Sequence, residues 1–386
     1  MKITYLGDIM CFRGRGGESE NPHALGGLKG LLHSSDYVVG NLETPVARAI
    51  DAAKHQTGRY RFVVPPDFAR IVRETGVTHV SVANNHCLDQ GFEGLLETLR
   101  CVKEAGLTPV GARERPGEPA YAVLEKGGIR VGLAASTYGT NAMENKVRLS
   151  RTQARHLNLT QNQELSSPLV RRLFERRSKW YYRWKKLTNR EAEDWFDRKE
   201  FSWGKRRALA VEMREARRKV DFLVAYPHVG GQHRLKPMQS VRRAYDWFFR
   251  HGADAVIGNH EHCVQPAEFM KGRMAAFCLG NTLSALGVDA RAGDECMENL
   301  SIALHQYLER EACGPLSVHY TFSVVKTYKD RNGAYHTRPM HELIAEAADD
   351  GARRALINEL NIIGRRFLGR EWAAAEPAAA EQAIDT

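Results

Sequence analysis

Five short polar clusters in this chain carry residue types that can hold a metal ion and move a proton. They are Gly7-Asp8, Gly40-Asn41-Leu42-Glu43, Ala83-Asn84-Asn85-His86, Tyr226-Pro227-His228-Val229-Gly230 and Gly258-Asn259-His260-Glu261-His262. Carboxylate and amide oxygens combined with imidazole nitrogens form a hard-to-borderline donor set. Such a set suits Mn²⁺, Fe²⁺ or Zn²⁺ and would be unusual for copper or an iron–sulfur cluster. Taken singly, each cluster has an ordinary explanation. Asp8 after glycine reads as a turn or cap residue, Glu43 as a solvated loop carboxylate, and Asn85-His86 as a turn. His260-x-His262 is more pointed, because residues at i and i+2 share one face of an extended segment. The five together, in this order, are far more specific than any one.

Each cluster closes a run that reads as an element of regular structure. Lys2–Asp8, Asp36–Asn41, Thr78–Asn84, Ile129–Ser136, Val220–Tyr226 and Ala253–Gly258 are short and apolar and end in polar or glycine punctuation, as buried strands do. Helical spacing appears over Asp67–Thr75, Phe92–Ala105 and Met238–His251. In the second of these Leu95, Leu96, Leu99 and Val102 mark one face, and Gly106 is placed to cap the end. Strand–helix alternation of this kind predicts an α/β fold with a largely parallel sheet. In such sheets loops converge outside the carboxyl ends of the strands, where the five clusters sit. Later runs, Met274–Gly280, Leu300–His305 and Ser317–Tyr328, have no long helix between them and suggest a second, more antiparallel sheet. Ala352–Phe367 reads as a terminal helix, and AAAEPAAAEQ as a low-complexity tail expected to fray.

The order GD…NLE…ANNH…H-x-G…GxHxH…LGN resembles the CapA family of capsule and poly-γ-glutamate synthesis proteins, a branch of the calcineurin-like metallophosphoesterases. The resemblance runs from Lys2 to about Asn281 and rests mainly on ANNH, GNHEHCVQP and FCLGN. It implies a two-sheet α/β/β/α sandwich with one or two divalent transition-metal ions at one edge. By the same resemblance Asp8, Asn85, His228, His260 and His262 are metal ligands, and His86 is the neighbouring histidine that serves as general acid or contacts the phosphate. Glu43 occupies the neighbourhood of the bridging carboxylate. Strict alignment of Gly40-Asn41 would place Asn41 there instead, and Asn41 and Asn84 are further candidates for the metal or its surroundings. A charged residue suits a bridge between two cations, which favours Glu43. The chain departs from the general pattern at Asp8-Ile9-Met10, where Asp-x-His is usual. Methionine is a poor ligand for hard cations, so one site is short of a ligand.

The chain has 386 residues, 43% hydrophobic and 26% charged, an ordinary globular composition. No apolar stretch approaches the roughly 20 residues of a spanning helix. The opening MKITYLGDIM lacks the regions of a secretory signal, so the expected location is cytoplasmic, with contact at the inner face of the membrane as an option. Seven scattered cysteines, never in a CxxC pair, read as reduced thiols beside strand ends rather than ligands. The net charge of +10 is confined to one segment: residues 168–219 hold 18 Lys+Arg against 8 Asp+Glu and four of the six tryptophans. The domain expectation is therefore a catalytic domain over 1–372, interrupted by a basic, aromatic helical insertion over 142–219, with a tail over 373–386.

Within the insertion Arg176, Arg177, Trp180, Arg183 and Trp184 are the candidate partner-binding residues. Interleaved cations and indoles fit an anionic polymer, a lipid-linked precursor or a membrane interface. No nucleic-acid-binding motif accompanies them, and charge alone is non-specific. Three functions stay open: a metal-dependent hydrolase of phosphoester or amide bonds, a weakly catalytic assembly factor that keeps the metal pocket, and a nucleic-acid phosphodiesterase.

Overall fold

The computed structural model describes residues 1–11, 23–48, 62–142, 145, 147–160, 203–284, 295–310, 314–374, 376 and 379–384. Strand β1 (Lys2–Ile9) is buried from Ile3 onward, as a strand covered on both faces must be. It lies inside the larger sheet, parallel to β2 (Tyr37–Leu42) on one edge and antiparallel to β12 (Leu300–Arg310) on the other. Beyond β2 run β3 (His79–Ser81) and β4 (Thr108–Val110), both parallel. Beyond β12 run β13 (Leu316–Lys329) and β14 (Tyr335–Pro339), both antiparallel.

Strand β1 changes partner along its length. Lys2 to Tyr5 pair with β12, and at Asp8 and Ile9 the short β11 (Asn281–Leu283) takes over in parallel. Gly7 sits at the changeover, where any side chain would overlap the Gly280 carbonyl, so the close approach requires glycine.

The smaller sheet is mostly parallel. Its strands β6 (Ile129–Thr137), β7 (Phe222–His228), β8 (Ala255–Ile257) and β10 (Arg273–Ala276) are flanked by antiparallel β5 (Tyr121–Lys126) and β9 (Ala267–Met270). Ile3, Tyr5, Val39 and Ile302 of the larger sheet share one buried cluster with Val131, Leu133, Val224 and Ile257 of the smaller, which forms the inter-sheet core. On the outer face of the larger sheet, Phe68 and Val72 of α2 (Asp67–Glu74) and Leu95 and Leu99 of α3 (Gly91–Glu104) pack with Val38 and Val80. On the outer face of the smaller sheet, Leu209 and Met213 of α4 (Trp203–Arg217) and Val241 and Phe248 of α5 (Gln239–Arg250) pack with Leu223 and Val256. The layer order is therefore α/β/β/α, as expected. Two short helices, α1 (Lys29–His33) and α6 (Met340–Ala345), complete the surface.

The helix α7 (Asp350–Leu368) is fixed at both ends: Asp349 accepts a hydrogen bond from the Ala352 amide at 2.7 Å, and Gly369 closes it with a left-handed φ of 65°. An N-cap of this kind is worth about 1 kcal/mol. Leu360, Ile363 and Phe367 of α7 join the same inter-sheet cluster, with the Phe367 ring 5.3 Å from that of Phe322.

Several expectations change. The late strands do not build a separate antiparallel sheet: β12 pairs with β1, so the antiparallel ladder is one half of the first sheet. Within the range expected as an insertion, residues 161–202 lie outside the described residues, and so do the five candidate partner-binding positions. The described part of that range belongs to the sandwich, since Leu157 and Leu159 bridge to Ala112 and Thr137, and α4 lies on the smaller sheet.

The expected frayed tail instead lays β15 (Gln382–Ala383) on β13. Glu381 next to it bonds Lys2 Nζ at 2.7 Å and the Tyr307 hydroxyl at 2.6 Å, so polar contacts replace the apolar ones that an alanine-rich tail lacks. The cysteines are not all reduced. Cys263 and Cys296 form a disulfide, brought together by the bridges Val264↔Leu279 and Gly280↔Ser301, which no local Cys spacing could announce. Cys11, Cys87, Cys101 and Cys278 are buried and take no part in that bond. Among the described residues no helix is long and apolar enough to cross a membrane.

Candidate metal centre

Sheet register brings the polar clusters together in two rows. In the larger sheet Asp8 stands opposite Asn41 of β2 on one side and Asn281 of β11 on the other. In the smaller sheet His228 stands opposite Thr137 of β6 and bridges to Asn259. Both rows lie at the carboxyl ends of parallel strands, where loops are free to turn inward. The loop after β3 adds Asn84, Asn85 and His86, and the loop after β8 adds His260 and His262. These last two hold positive φ values of 116° and 63°. Such backbone is costly for residues with a Cβ and clusters at functional sites.

Asp8, Glu43, Asn85, His228, His260 and His262 are all buried. His228 Nε2 lies 2.8 Å from Asn85 Oδ1, 3.0 Å from His260 Nδ1 and 3.5 Å from Glu43 Oε1. Donors bound about 2.1 Å from one ion, in tetrahedral or octahedral array, stand roughly 3.0–3.4 Å apart. The 3.0 and 3.5 Å spacings are close to those of donors around a shared ion, and the 2.8 Å His228–Asn85 contact is a hydrogen bond that such an ion would replace. In a second group Asp8 Oδ2 lies 3.2 Å from His262 Nδ1. Candidate ligand atoms thus gather in two sets, Glu43–His228–His260 and Asp8–Glu43–His262, and Glu43 is common to both.

The electrostatics of the cage point the same way. Both oxygens of Glu43 are buried with no hydrogen-bond partner among the described residues. Burial, followed by the Asp8 charge, pushes the Glu43 carboxyl well above the usual carboxylate range. Burial and neighbouring histidines hold His228 and His260 well below the usual imidazole range. Buried polar atoms without partners cost about 1–3 kcal/mol each. A divalent cation would answer the carboxylates and the neutral imidazoles together.

Asn41 and Asn84 brace the cage. Asn41 Nδ2 donates to Asp8 Oδ1 at 2.7 Å and lies 3.1 Å from His228 Nδ1. Asn84 Nδ2 donates to Asn41 Oδ1 at 3.2 Å and to the Leu42 carbonyl at 2.8 Å. Met10, where histidine is usual, is buried.

His86 belongs to a separate relay. Its Nδ1 lies 2.8 Å from Asp89 Oδ2, which also accepts from the Phe62 amide at 2.9 Å, while Asn145 Nδ2 donates to Asp89 Oδ1 at 2.7 Å. Asp89 is fully buried and was not anticipated, although its place three residues after His86 is the spacing of neighbours across one turn. Two further groups went unread: Asn281 Oδ1, 3.0 Å from His262 Nδ1, and Tyr138, whose ring lies 4.7 Å from that of His260. Asn281 closes the quoted LGN motif, so a signal existed. Tyr138 carried none.

The family model described as "Bacterial capsule synthesis protein PGA_cap" matches residues 2–285. A capsule biosynthesis protein CapA of Bacillus anthracis is 25% identical over 291 residues, covering 73% of this chain and 59% of that one. A PGA biosynthesis protein CapA of Bacillus subtilis (strain 168) is 21% identical over 292 residues, covering 73% and 62%. This chain thus matches about three-fifths of the length of those relatives. A crystal structure from Thermus thermophilus, titled as a hypothetical protein, aligns over 88% of this chain and 99% of its own, at 16% identity and a TM-score of 0.42. With the matched residues spanning every cluster from Asp8 to Asn281, the chain belongs to the bacterial capsule synthesis protein PGA_cap family.

Proposed function

We propose that this chain is a metal-dependent hydrolase acting on a phosphoester or amide bond in the metabolism of a capsule-type anionic polymer. The observation that carries the reading is the fully buried Glu43 carboxylate at the junction of two candidate donor sets. On this reading Glu43, Asn85, His228 and His260 hold one divalent ion, and Asp8, Glu43 and His262 hold the other. Two such ions supply water activation at neutral pH and polarisation of the scissile oxygen. The protein's own residues do the rest. His86 donates a proton to the leaving atom, and Asp89 holds the imidazole by Nδ1 and leaves the other ring nitrogen for the substrate. Asn41 keeps Asp8 aimed into the cage. The test is metal analysis of purified protein, followed by turnover of a chromogenic phosphoester and a γ-glutamyl amide. Two ions per chain with metal-dependent turnover that His86→Ala abolishes supports the reading; metal-free protein that turns over equally well overturns it.

A second reading is favoured by Met10. With methionine in place of histidine, one donor set has three protein ligands rather than four, which supports a pocket that binds one ion firmly and turns over weakly. An assembly role in polymer synthesis would follow, and it predicts one ion per chain with no measurable hydrolysis of either substrate.

A further inference from the structure

Outside the main cage, at its rim, a second set of ligand-type atoms lies within 4.8 Å of one another: His233, Cys296 and Glu298. His233 Nδ1 and a Glu298 carboxylate oxygen already form an ion pair. Cys296 is the sulfur of this set, and in the structure that sulfur is bonded to Cys263. A disulfide sulfur has no thiolate to offer, so the bond and a metal–sulfur contact exclude each other. We propose that His233, Cys296 and Glu298 form a thiol-gated zinc site, closed while the Cys263–Cys296 disulfide stands and open once a dithiol reductant cleaves it.

The chemistry balances. Reduction adds two electrons and two protons from the dithiol, which itself becomes a disulfide, and yields thiols at Cys263 and Cys296. Zinc binding then displaces the Cys296 proton and the proton that His233 shares with Glu298, both of which pass to solvent. Thiolate, imidazole and carboxylate together favour Zn²⁺ over the harder cations that the oxygen- and nitrogen-lined cage accepts. Three protein ligands leave the fourth position to water.

The three ligands are held by contacts that do not depend on the disulfide. The His233 amide donates to the Glu261 carbonyl at 2.8 Å. Arg366 grips the Cys296 segment, donating to the Cys296 carbonyl at 3.0 Å and the Glu295 carbonyl at 2.6 Å. Asn281 Nδ2 donates to the Glu298 carbonyl at 3.2 Å, and Met297 accepts from the Leu300 amide at 2.9 Å. Cleaving the disulfide therefore frees the sulfur without dismantling the site. The site borders the main cage, with the His233 ring 5.9 Å from that of His262.

The test counts zinc bound by the full-length protein, first oxidised and then after treatment with a dithiol and removal of excess reductant. Co²⁺ serves as a second probe, read by thiolate-to-metal charge-transfer absorption. The reduced parent should bind one more Zn²⁺ per chain than the oxidised parent. Cys263→Ser, which cannot form the disulfide but keeps the Cys296 thiol, should bind that extra ion without reductant. Cys296→Ser, which loses the same disulfide, should never bind it, so the two serine variants separate loss of the ligand from loss of the cross-link. His233→Ala should weaken the extra ion by more than about 10²-fold, beyond the effect of an outer-shell change. The increment should also persist in His260→Ala, which independently damages the main cage. No increment on reduction, or an increment that survives in Cys296→Ser with its cobalt–thiolate band, overturns the proposal.

Discussion

Replacing Glu43 with glutamine keeps the side-chain volume and removes one charge, which isolates what the carboxylate does. Glu43 belongs to both donor sets, whereas His260 belongs to one and His262 to the other. The substitution should therefore weaken both ions, while His260→Ala and His262→Ala each weaken one. Suppose each site is held at 1,000 times its Kd, where bound metal adds about 4 kcal/mol of stability. Losing a direct ligand should exceed the 10²-fold that bounds outer-shell changes; 10²-fold alone would leave about 1.4 kcal/mol and so cost about 2.7 kcal/mol per site. Glu43→Gln should lose about twice what His262→Ala loses. In metal-free protein the sign reverses. Burial and Asp8 work against the Glu43 carboxylate, so the amide should leave stability unchanged or raise it. The assay is urea unfolding with metal and with chelator, alongside metal counts per chain. If Glu43→Gln retains two ions, or loses no more metal-dependent stability than His262→Ala, Glu43 does not bridge the two sets.

Asp89→Asn should leave metal content unchanged but lower turnover by about 10²–10⁴-fold, since the His86 imidazole loses the buried carboxylate that orients it; unchanged turnover would remove Asp89 from the relay. Gly230→Ala should impair folding and metal retention, because φ is 143° there and the new methyl would overlap Glu261 Oε1; normal expression and metal content would contradict the packing. His305 and His79 are both pushed down by burial to about 4, so their unfolded forms bind protons first as pH falls from roughly 6.5. Stability should drop between pH 6.5 and 4, by up to about 3 kcal/mol for each histidine, and His305→Gln should flatten that slope in urea melts across the range. Replacing residues 168–202 by a short Gly/Ser bridge, and sparing α4, should preserve metal content yet weaken binding to polyglutamate or anionic vesicles most at low salt; equal binding would leave the basic segment without that role.

The candidate cage was legible because its polar residues sit at or just past strand ends, where apolar runs stop abruptly around Asp8, Asn41, Asn85, His228 and His260. Periodicity marks such boundaries well. It cannot show which strands become neighbours. The pairing of β12 with β1 spans about 300 residues, and a short alternating run carries no mark of its partner. The bridges Val264↔Leu279 and Gly280↔Ser301 bring Cys263 beside Cys296, so counting cysteine spacings in sequence missed the disulfide. Asp89 was hidden differently: its signal is local, but a carboxylate near a histidine is common on surfaces, and only burial turns it into a relay. The tail misled by composition, because alanine predicted fraying while one glutamate, Glu381, supplied the hold.

The partner exchange along β1 also sets a timetable for biogenesis. The strand that carries Asp8 is made first, yet half of its edge stays unpaired until Leu300–Tyr307 and Asn281–Leu283 have been synthesised. At about 5–20 residues per second, that interval is on the order of 15–60 s. Through it the nascent chain displays an apolar strand with one open edge, a template for pairing with another chain. Chaperone demand and yield on overexpression should therefore track the delay between β1 and β12. A circular permutant that places β11 and β12 ahead of β1 would shorten that exposure while leaving every side chain of the finished cage in place.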